Sequence, residues 1–493
     1  MSFRRGKMGT VKKIYAAYRK FPIQVKASFW FLICAFLQKG ISVITTPIFT
    51  RLLSASEYGK YSVFNSWLGI VGIFVSLNLT GGVYQQGLVK FEAEEKLFSS
   101  SLQGLSMTLT AACTVVYLVS RGFWNKLFSF STVQMLAMLI MIWSSAAFGF
   151  WAAEQRLHYR YRALVAVTIT ISFAKPAAGI LLVVHARDRV TALLLGLALV
   201  ELIGFTGLFW AQMRRGKKFY CRKFWNYAMR FNLPLIPHYL SQTILNSADR
   251  IMIERITDAE QAGIYSLAYS VSLVMTLFNT ALMQTLSPWI YEKIKREKIT
   301  DIALAAYSTL SLTAFANLFL IAFAPEAVAF FAPSEYFEAI WVIPPVAMSV
   351  YFMYGYDLFA KFAFYYEKTK FIMTASMVGA ILNIVLNYMF IRFFGYRAAG
   401  YTTLICYIAY FSGHYFFMNR VCDECCDGVK PYSARIIMLI TVCFITAGFV
   451  LMFTYRHTAI RYAAFLTIAT IAFFKRKDLY ILQKEMEVKD NGT

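Results

Sequence analysis

The sequence predicts an all-α membrane protein with about 14 transmembrane helices: two six-helix lobes related by a parallel pseudo-repeat, plus a C-terminal helix pair. Three observations predict it. Apolar stretches of bilayer length recur through the 493 residues, the joins between them alternate in charge, and one short motif occurs twice. A chain that is 59% hydrophobic and 15% charged, with mean hydropathy +0.54, is too apolar for a soluble domain of this size. A run of about 20 apolar residues crosses the hydrocarbon core as a helix. Backbone polar groups in lipid must be satisfied within their own segment, so the spans are helices.

The chain opens on a basic tail, residues 1–26, that reads as cytoplasmic. No cleavable signal is expected there, because the apolar run that follows is too long for one. The first lobe (27–213) holds spans at Ala27–Phe49, Tyr61–Leu79, Phe98–Val119, Val133–Trp151, Ala163–Val184 and Thr191–Gln212. Lys39 lies mid-span in the first, with Ser42, Thr46 and Thr50 on the same face. A charge at the centre of a span costs roughly 2.5–3.5 kcal/mol, so this face is expected to point inward. Tyr61, Asn65 and Ser76 share a face of the second span. Lys175 is mid-span in the fifth and precedes Pro176, which leaves the Ser172 carbonyl without its donor and predicts a kink. Glu201 is mid-span in the sixth. Two readings stand here: a buried Lys175–Glu201 pair that locks the lobe, or Lys39 and Lys175 lining a cavity that attracts an anion.

A basic cytoplasmic linker (214–232) follows, carrying Arg214, Arg215, Lys217, Lys218, Arg222, Lys223 and Arg230. The second lobe (233–420) holds spans at Leu233–Ile253, Gly263–Leu286, Ile302–Phe323, Ile340–Phe359, Phe371–Ile391 and Ala398–Phe417. Pro234 and Pro237 open its first helix, where Gln242, Asn246 and Asp249 share a face beside Arg250. Arg250 is a candidate anion-binding residue, and an interfacial Asp249–Arg250 ion pair is the alternative. Tyr265, Tyr269, Ser272, Thr276 and Asn279 stripe the next helix, and Asn383 and Asn387 pair at i, i+4 further on. Single cases of this kind serve helix–helix hydrogen bonding; several on matching helices fit a hydrated cavity. Asp357 and Lys361, also i, i+4, read equally as a surface ion pair or a gate, and His414 as a satisfied interior histidine. Glu201, Asp249 and Asp357 are the candidates for coupling or gating.

Residues 421–493 hold the last two spans, Ile436–Phe453 and Ala459–Phe474, and a cytoplasmic tail. Cys422, Cys425 and Cys426 lack a fourth ligand and a nearby His, so no metal is expected. No cofactor is expected either. The chain has no P-loop, no dinucleotide fingerprint, no zinc H-E-x-x-H and no nucleophile elbow.

A net charge of +23 invites a nucleic-acid reading, but its distribution argues otherwise. With the N-terminus inside, the cytoplasmic segments hold 35 Lys and Arg and the external loops 12. That is the positive-inside bias, and it places both termini in the cytoplasm. Attraction to anionic lipid headgroups is secondary.

The repeat reads Arg51-Leu-Leu-Ser-Ala-Ser-Glu-Tyr-Gly59-Lys-Tyr61-Ser62 after the first span and Arg255-Ile-Thr-Asp-Ala-Glu-Gln-Ala-Gly263-Ile-Tyr265-Ser266 after the seventh. Arg, Ala, Gly, Tyr and Ser coincide without a gap, between equivalent helices of the two lobes. Transporters with parallel repeats hold substrate between the repeats and rock around it.

The stretch Arg51–Ser62, with Leu233-Pro-Leu-Ile-Pro237, Ser247-Ala-Asp-Arg250-Ile-Met and Ala262-Gly-Ile-Tyr-Ser266, resembles Wzx-type polysaccharide flippases. These are members of the multidrug/oligosaccharidyl-lipid/polysaccharide exporter superfamily. The resemblance implies a non-enzymatic inner-membrane flippase. It would move undecaprenyl-pyrophosphate-linked oligosaccharide by alternating access for O-antigen, capsule or exopolysaccharide assembly. Membrane lipids, a polymerase and a chain-length regulator would be its partners. The superfamily's cation antiporters carry an acidic residue in the first helix; Ala27–Phe49 has no Asp or Glu, which lowers that reading. A multidrug or metabolite exporter, a membrane polymerase or glycosyltransferase, and an assembly scaffold are the rivals. The short external loops count against the enzymes.

Overall fold

The computed structural model describes residues 22–474, apart from the side chains of Lys39, Ser42, Thr369 and residues 471–474. The expected roles of Lys39 and Ser42 therefore lie outside the described side chains, as does most of each terminal tail. Among the described residues every regular element is helical.

Long helices occupy each of the expected spans. In chain order they begin with α1 (Ile23–Leu52) and α2 (Ala55–Ser76), then a short α3 (Gly82–Lys90) and α4 (Glu95–Val119). After a short α5 (Arg121–Phe128) come α6 (Thr132–Leu157), α7 (Tyr161–His185), α8 (Arg189–Gly216) and a surface helix α9 (Arg222–Asn232). The chain continues through α10 (Ile236–Ile256), α11 (Ala259–Lys295), α12 (Ile302–Ala322), a short α13 (Ala324–Phe331) and α14 (Ile343–Tyr365). It closes with α15 (Thr369–Phe394), α16 (Ala398–Cys425), α17 (Ala434–Phe453) and α18 (Thr458–Phe474).

Nine of these helices are long and apolar enough to cross a bilayer alone. The 3₁₀ turn Ser334–Trp341 with α14, bent by 51°, makes a tenth if it is one broken span. Among those that fall short, α10 does so for a chemical reason. Gln242, Asn246, Asp249 and Arg250 dilute its apolarity, and such a helix is stable in lipid only with polar partners alongside.

Local signals fix several starts. Ser131 and Gln134 form a reciprocal capping box on α6. The Asp188 and Asp258 carboxylates accept from the backbone N–H of Thr191 and Gln261, capping α8 and α11.

By contacts the described chain divides into two units. One comprises the residues up to Thr45 and Val71–Ile236; the other comprises Thr46–Ile70 and everything from Pro237. In the first unit α8 packs against α4, α6 and α7. Phe98, Tyr84, Phe150 and Phe224 form an aromatic core there. The helix α9 is amphipathic. It buries Phe224, Ala228 and Asn232 and exposes Arg222, Lys223 and Arg230. The Asn232 amide donates to the carbonyls of Leu77 (2.8 Å) and Asn78 (3.0 Å), where α2 ends in two positive-φ residues.

In the second unit α14 packs on α16, α11 and α12, with α17 against α12. The start of α2 crosses α11 at Gly59 and Gly263. A Cβ on Gly59 would meet the Ala259 carbonyl oxygen at 1.7 Å, and one on Gly263 would meet that of Ala55 at 2.0 Å. The crossing is reciprocal and involves equivalent positions of the repeat. The repeated Ala and Gly thus have a packing cause: only small residues let the backbones approach so closely.

Candidate functional site

The polar residues of α10 recur every three or four positions, so they form one stripe. Pro234, in a 3₁₀ turn, and Pro237 set the entry of that helix. From its start, the Gln242 amide donates to Ser376 Oγ (3.3 Å), itself bonded to the Tyr410 hydroxyl (2.6 Å). One turn on, the Tyr407 hydroxyl donates to Asn246 Oδ1 (3.3 Å). The stripe is thus matched by polar groups on α15 and α16.

Asp249 ends the stripe at 1% exposure. Its Oδ2 accepts from the Tyr265 hydroxyl (2.6 Å) and Thr403 Oγ1 (2.9 Å), and its Oδ1 from the Asn387 amide (2.5 Å). That amide also reaches Asn383 Oδ1 (3.1 Å), and Thr402 donates to Asn387 Oδ1. The Asn383 Nδ2 is buried with no hydrogen-bond partner. Three donors on one carboxylate offset much of the cost of burying it.

Arg250 turns the other way. Its guanidinium donates to the Asn246 carbonyl (3.0 Å) and lies 4.3 Å from the centre of the Tyr269 ring, a cation–π contact. Among the described residues no ion pair joins Asp249 to Arg250. The guanidinium is half-exposed, and its remaining N–H groups stay available for an anion. One helix turn therefore carries an enclosed carboxylate and an accessible cation.

The other expected site residues serve varied ends. Asn65, exposed, donates to its own Tyr61 carbonyl, and Thr276 to its own Leu273 carbonyl. Thr46 is buried. Asn279 donates across to the Val350 carbonyl (2.9 Å), a helix–helix tie. Asp357 and Lys361 form an ion pair at 2.7 Å within α14. His414 is buried, with Nδ1 on the Tyr410 carbonyl (2.8 Å). In the first unit Lys175 is engaged by Glu201, which also accepts from Ser145 Oγ (3.3 Å). The geometry at Lys175 is that of the locking pair. Among the described residues no group of three His, Cys, Asp or Glu could hold a metal, and Cys426 Sγ donates to the Tyr366 hydroxyl.

Two polar clusters were not anticipated. Glu154, buried at the end of α6, accepts from Arg215 (2.5 Å) and Gln212 (2.6 Å), and Gln212 Oε1 accepts from Gln103 (2.7 Å). Arg461 is 1% exposed and pairs with Glu326, which also accepts from the Tyr462 hydroxyl. In each cluster the partners come from different helices (α4, α6 and α8 in one, α13 and α18 in the other), so no spacing along one helix announced them. The one signal was the charge of Glu154, Arg215, Glu326 and Arg461 at the edges of apolar runs.

The model of the family described as "Polysaccharide biosynthesis protein" matches residues 25–294. An uncharacterized membrane protein of Haemophilus influenzae is 23% identical over 299 residues, covering 58% of this chain and 70% of that protein. A protein of the Lsg locus of the same organism is 22% identical over 377 residues, covering 73% and 89%. Among solved structures, lipid II flippase MurJ in an inward closed conformation superposes with TM-score 0.71 at 14% identity, covering 90% of this chain and 98% of that one. An inward-facing multidrug resistance transporter of the MATE family gives TM-score 0.58 at 11% identity, covering 78% and 96%. The fold is therefore one shared by flippases and drug transporters.

Proposed function

Because this chain belongs to the polysaccharide biosynthesis protein family, we propose that it moves lipid-linked oligosaccharide repeat units across the cytoplasmic membrane by alternating access. The family and the fold are those of a multi-pass transporter rather than an enzyme. In this reading the carrier is undecaprenyl pyrophosphate and the product feeds O-antigen, capsule or exopolysaccharide assembly. A polymerase and a chain-length regulator act downstream.

The observation that carries the reading is Arg250, half-exposed over the Tyr269 ring in a seam of amides and hydroxyls. A guanidinium recognises pyrophosphate oxygens by paired N–H donors, and an aromatic face beneath it holds it in place. The neighbouring tyrosines and amides offer stacking and hydrogen-bonding groups to sugar hydroxyls. Lys39 is a second proposed cation for the headgroup. Lys175 would have to leave Glu201 to serve as a third.

Asp249 is the proposed coupling residue. Its carboxylate is enclosed, accepts from the Tyr265 and Thr403 hydroxyls and the Asn387 amide N–H, and has no cationic partner within 4 Å among the described residues; an ionisable group so placed inside a span marks a functional position. A strain lacking the chain should accumulate lipid-linked repeat units and lose surface polysaccharide, with drug sensitivity unchanged. Asp249→Asn should reach the membrane at normal level without restoring the polysaccharide. Altered drug sensitivity with intact polysaccharide would favour the drug or metabolite exporter instead.

A further inference from the structure

The outer face of α8 carries a trough that the transport seam does not use. Among the described residues it is lined by Gly207, Trp210, Ala211 and Arg214, which stand at i, i+3, i+4 and i+7, and its volume is about 520 Å³. The opposite face of α8 is the buried one, carrying Glu201, Phe205, Phe209 and Gln212. A Cβ placed on Gly207 would meet nothing within 4 Å, so the floor of the trough is open. Trp210 is 54% exposed and packs edge-to-face on Phe209, with ring centres 5.5 Å apart, which fixes its ring as a wall. Below Gly207 the stripe continues through the exposed Ile203 and Leu199.

The two arginines at the end of α8 differ. Arg215 is bonded to the buried Glu154. Arg214, one residue earlier, lines the trough and has no hydrogen-bond or ion-pair partner among the described residues.

We propose that this trough binds one anionic glycerophospholipid of the leaflet that faces the basic end of α8, cytoplasmic by charge bias. Arg214 holds the phosphate, Trp210 lies at glycerol depth, and an acyl chain runs over Ala211 and Gly207 onto Ile203. Gly207 lies about 10 Å along the helix from Arg214, the depth at which headgroup gives way to chain. Trp and Arg at that boundary suit an amphipathic ligand, and the open glycine leaves room for its tail.

The test is native mass spectrometry of the full chain in mild detergent, titrated with phosphatidylglycerol and phosphatidylcholine. The wild type should retain one phosphatidylglycerol in preference to phosphatidylcholine. Arg214→Gln should weaken phosphatidylglycerol about fivefold, the value of roughly 1 kcal/mol for one surface arginine, and weaken phosphatidylcholine, whose choline offsets its phosphate charge, by less. Gly207→Leu, which fills the trough, should weaken both lipids, whereas Lys217→Gln should weaken neither. Equal losses from Lys217→Gln and Arg214→Gln would mean diffuse attraction to the basic linker and overturn the site. No effect of Gly207→Leu would mean that a headgroup, not a whole lipid, is recognised, and would overturn it too. These positions are exposed, and the Arg214 and Lys217 side chains have no hydrogen-bond or ion-pair partner among the described residues, so all three variants should fold.

Discussion

Asp249 and Arg250 are sequence neighbours that do not pair with each other, and the physical reason is helical geometry. Adjacent residues point about 100° apart, so one side chain enters the polar packing of α15 and α16 while the other lies over α11. Lys175 and Glu201 show the opposite case, a pair across α7 and α8. Glu201→Gln should destabilise the protein by on the order of 3 kcal/mol, because it strands a largely enclosed lysine. The double variant Lys175→Met/Glu201→Leu should regain most of that. Thermal unfolding in detergent measures both. If the double variant is stable yet inactive, Lys175 serves the substrate as well as the fold. Outside the spans, Glu424 accepts from Lys368 (3.1 Å) and Arg420 (3.2 Å), and these cations hold its carboxyl below its ordinary 4.5. A depressed carboxyl stabilises the fold above the unfolded value and stops doing so as pH falls through the folded one. The stability difference between wild type and Glu424→Gln should therefore be present at neutral pH, vanish in acid, and shrink in high salt. A difference that persists in acid would contradict the assignment.

Among the elements, the crossing of α2 and α11 depends most on residue size. Gly59→Ala and Gly263→Ala should each cost about 1–3 kcal/mol, since each new methyl would strike a backbone carbonyl of the facing helix. The double variant should cost less than the sum, because one separation of the helices relieves both clashes. Independent, additive losses in thermal stability would show that the two glycines do not share a contact. This crossing was half legible in the sequence. The repeat marked the four small residues, but only the structure showed that each copy packs on the other. The long helices were legible, because apolar length reports directly on spans, whereas the short helices α3, α5, α9 and α13 fall in stretches read as joins. The site was legible where polar residues repeat along one helix, as in Gln242–Asn246–Asp249 and Asn383–Asn387. It was not legible where lone groups from distant helices converge, as with Thr403 on Asp249, Gln103 and Glu154 on Gln212, or Arg461 on Glu326. Spacing carries no information about partners on other helices.

For the whole molecule, the family match places the chain in polysaccharide biosynthesis and the fold is one shared with flippases and drug transporters, and in the proposed function the chemistry of the seam sets the sign of the cargo. An accessible guanidinium over an aromatic ring favours an anionic headgroup and disfavours the organic cations that drug antiporters take. Leaflet exchange decides between them. Purified wild type and Arg250→Ala would be reconstituted in proteoliposomes containing fluorescent polyprenyl-pyrophosphate oligosaccharide, with translocation followed by an impermeant quencher. Wild type should exchange the lipid between leaflets, and Arg250→Ala should do so at least about tenfold more slowly, the loss expected when one charge-assisted contact of 1.5–3 kcal/mol is removed. Equal exchange by the two proteins, or none by wild type above empty liposomes, would contradict the account.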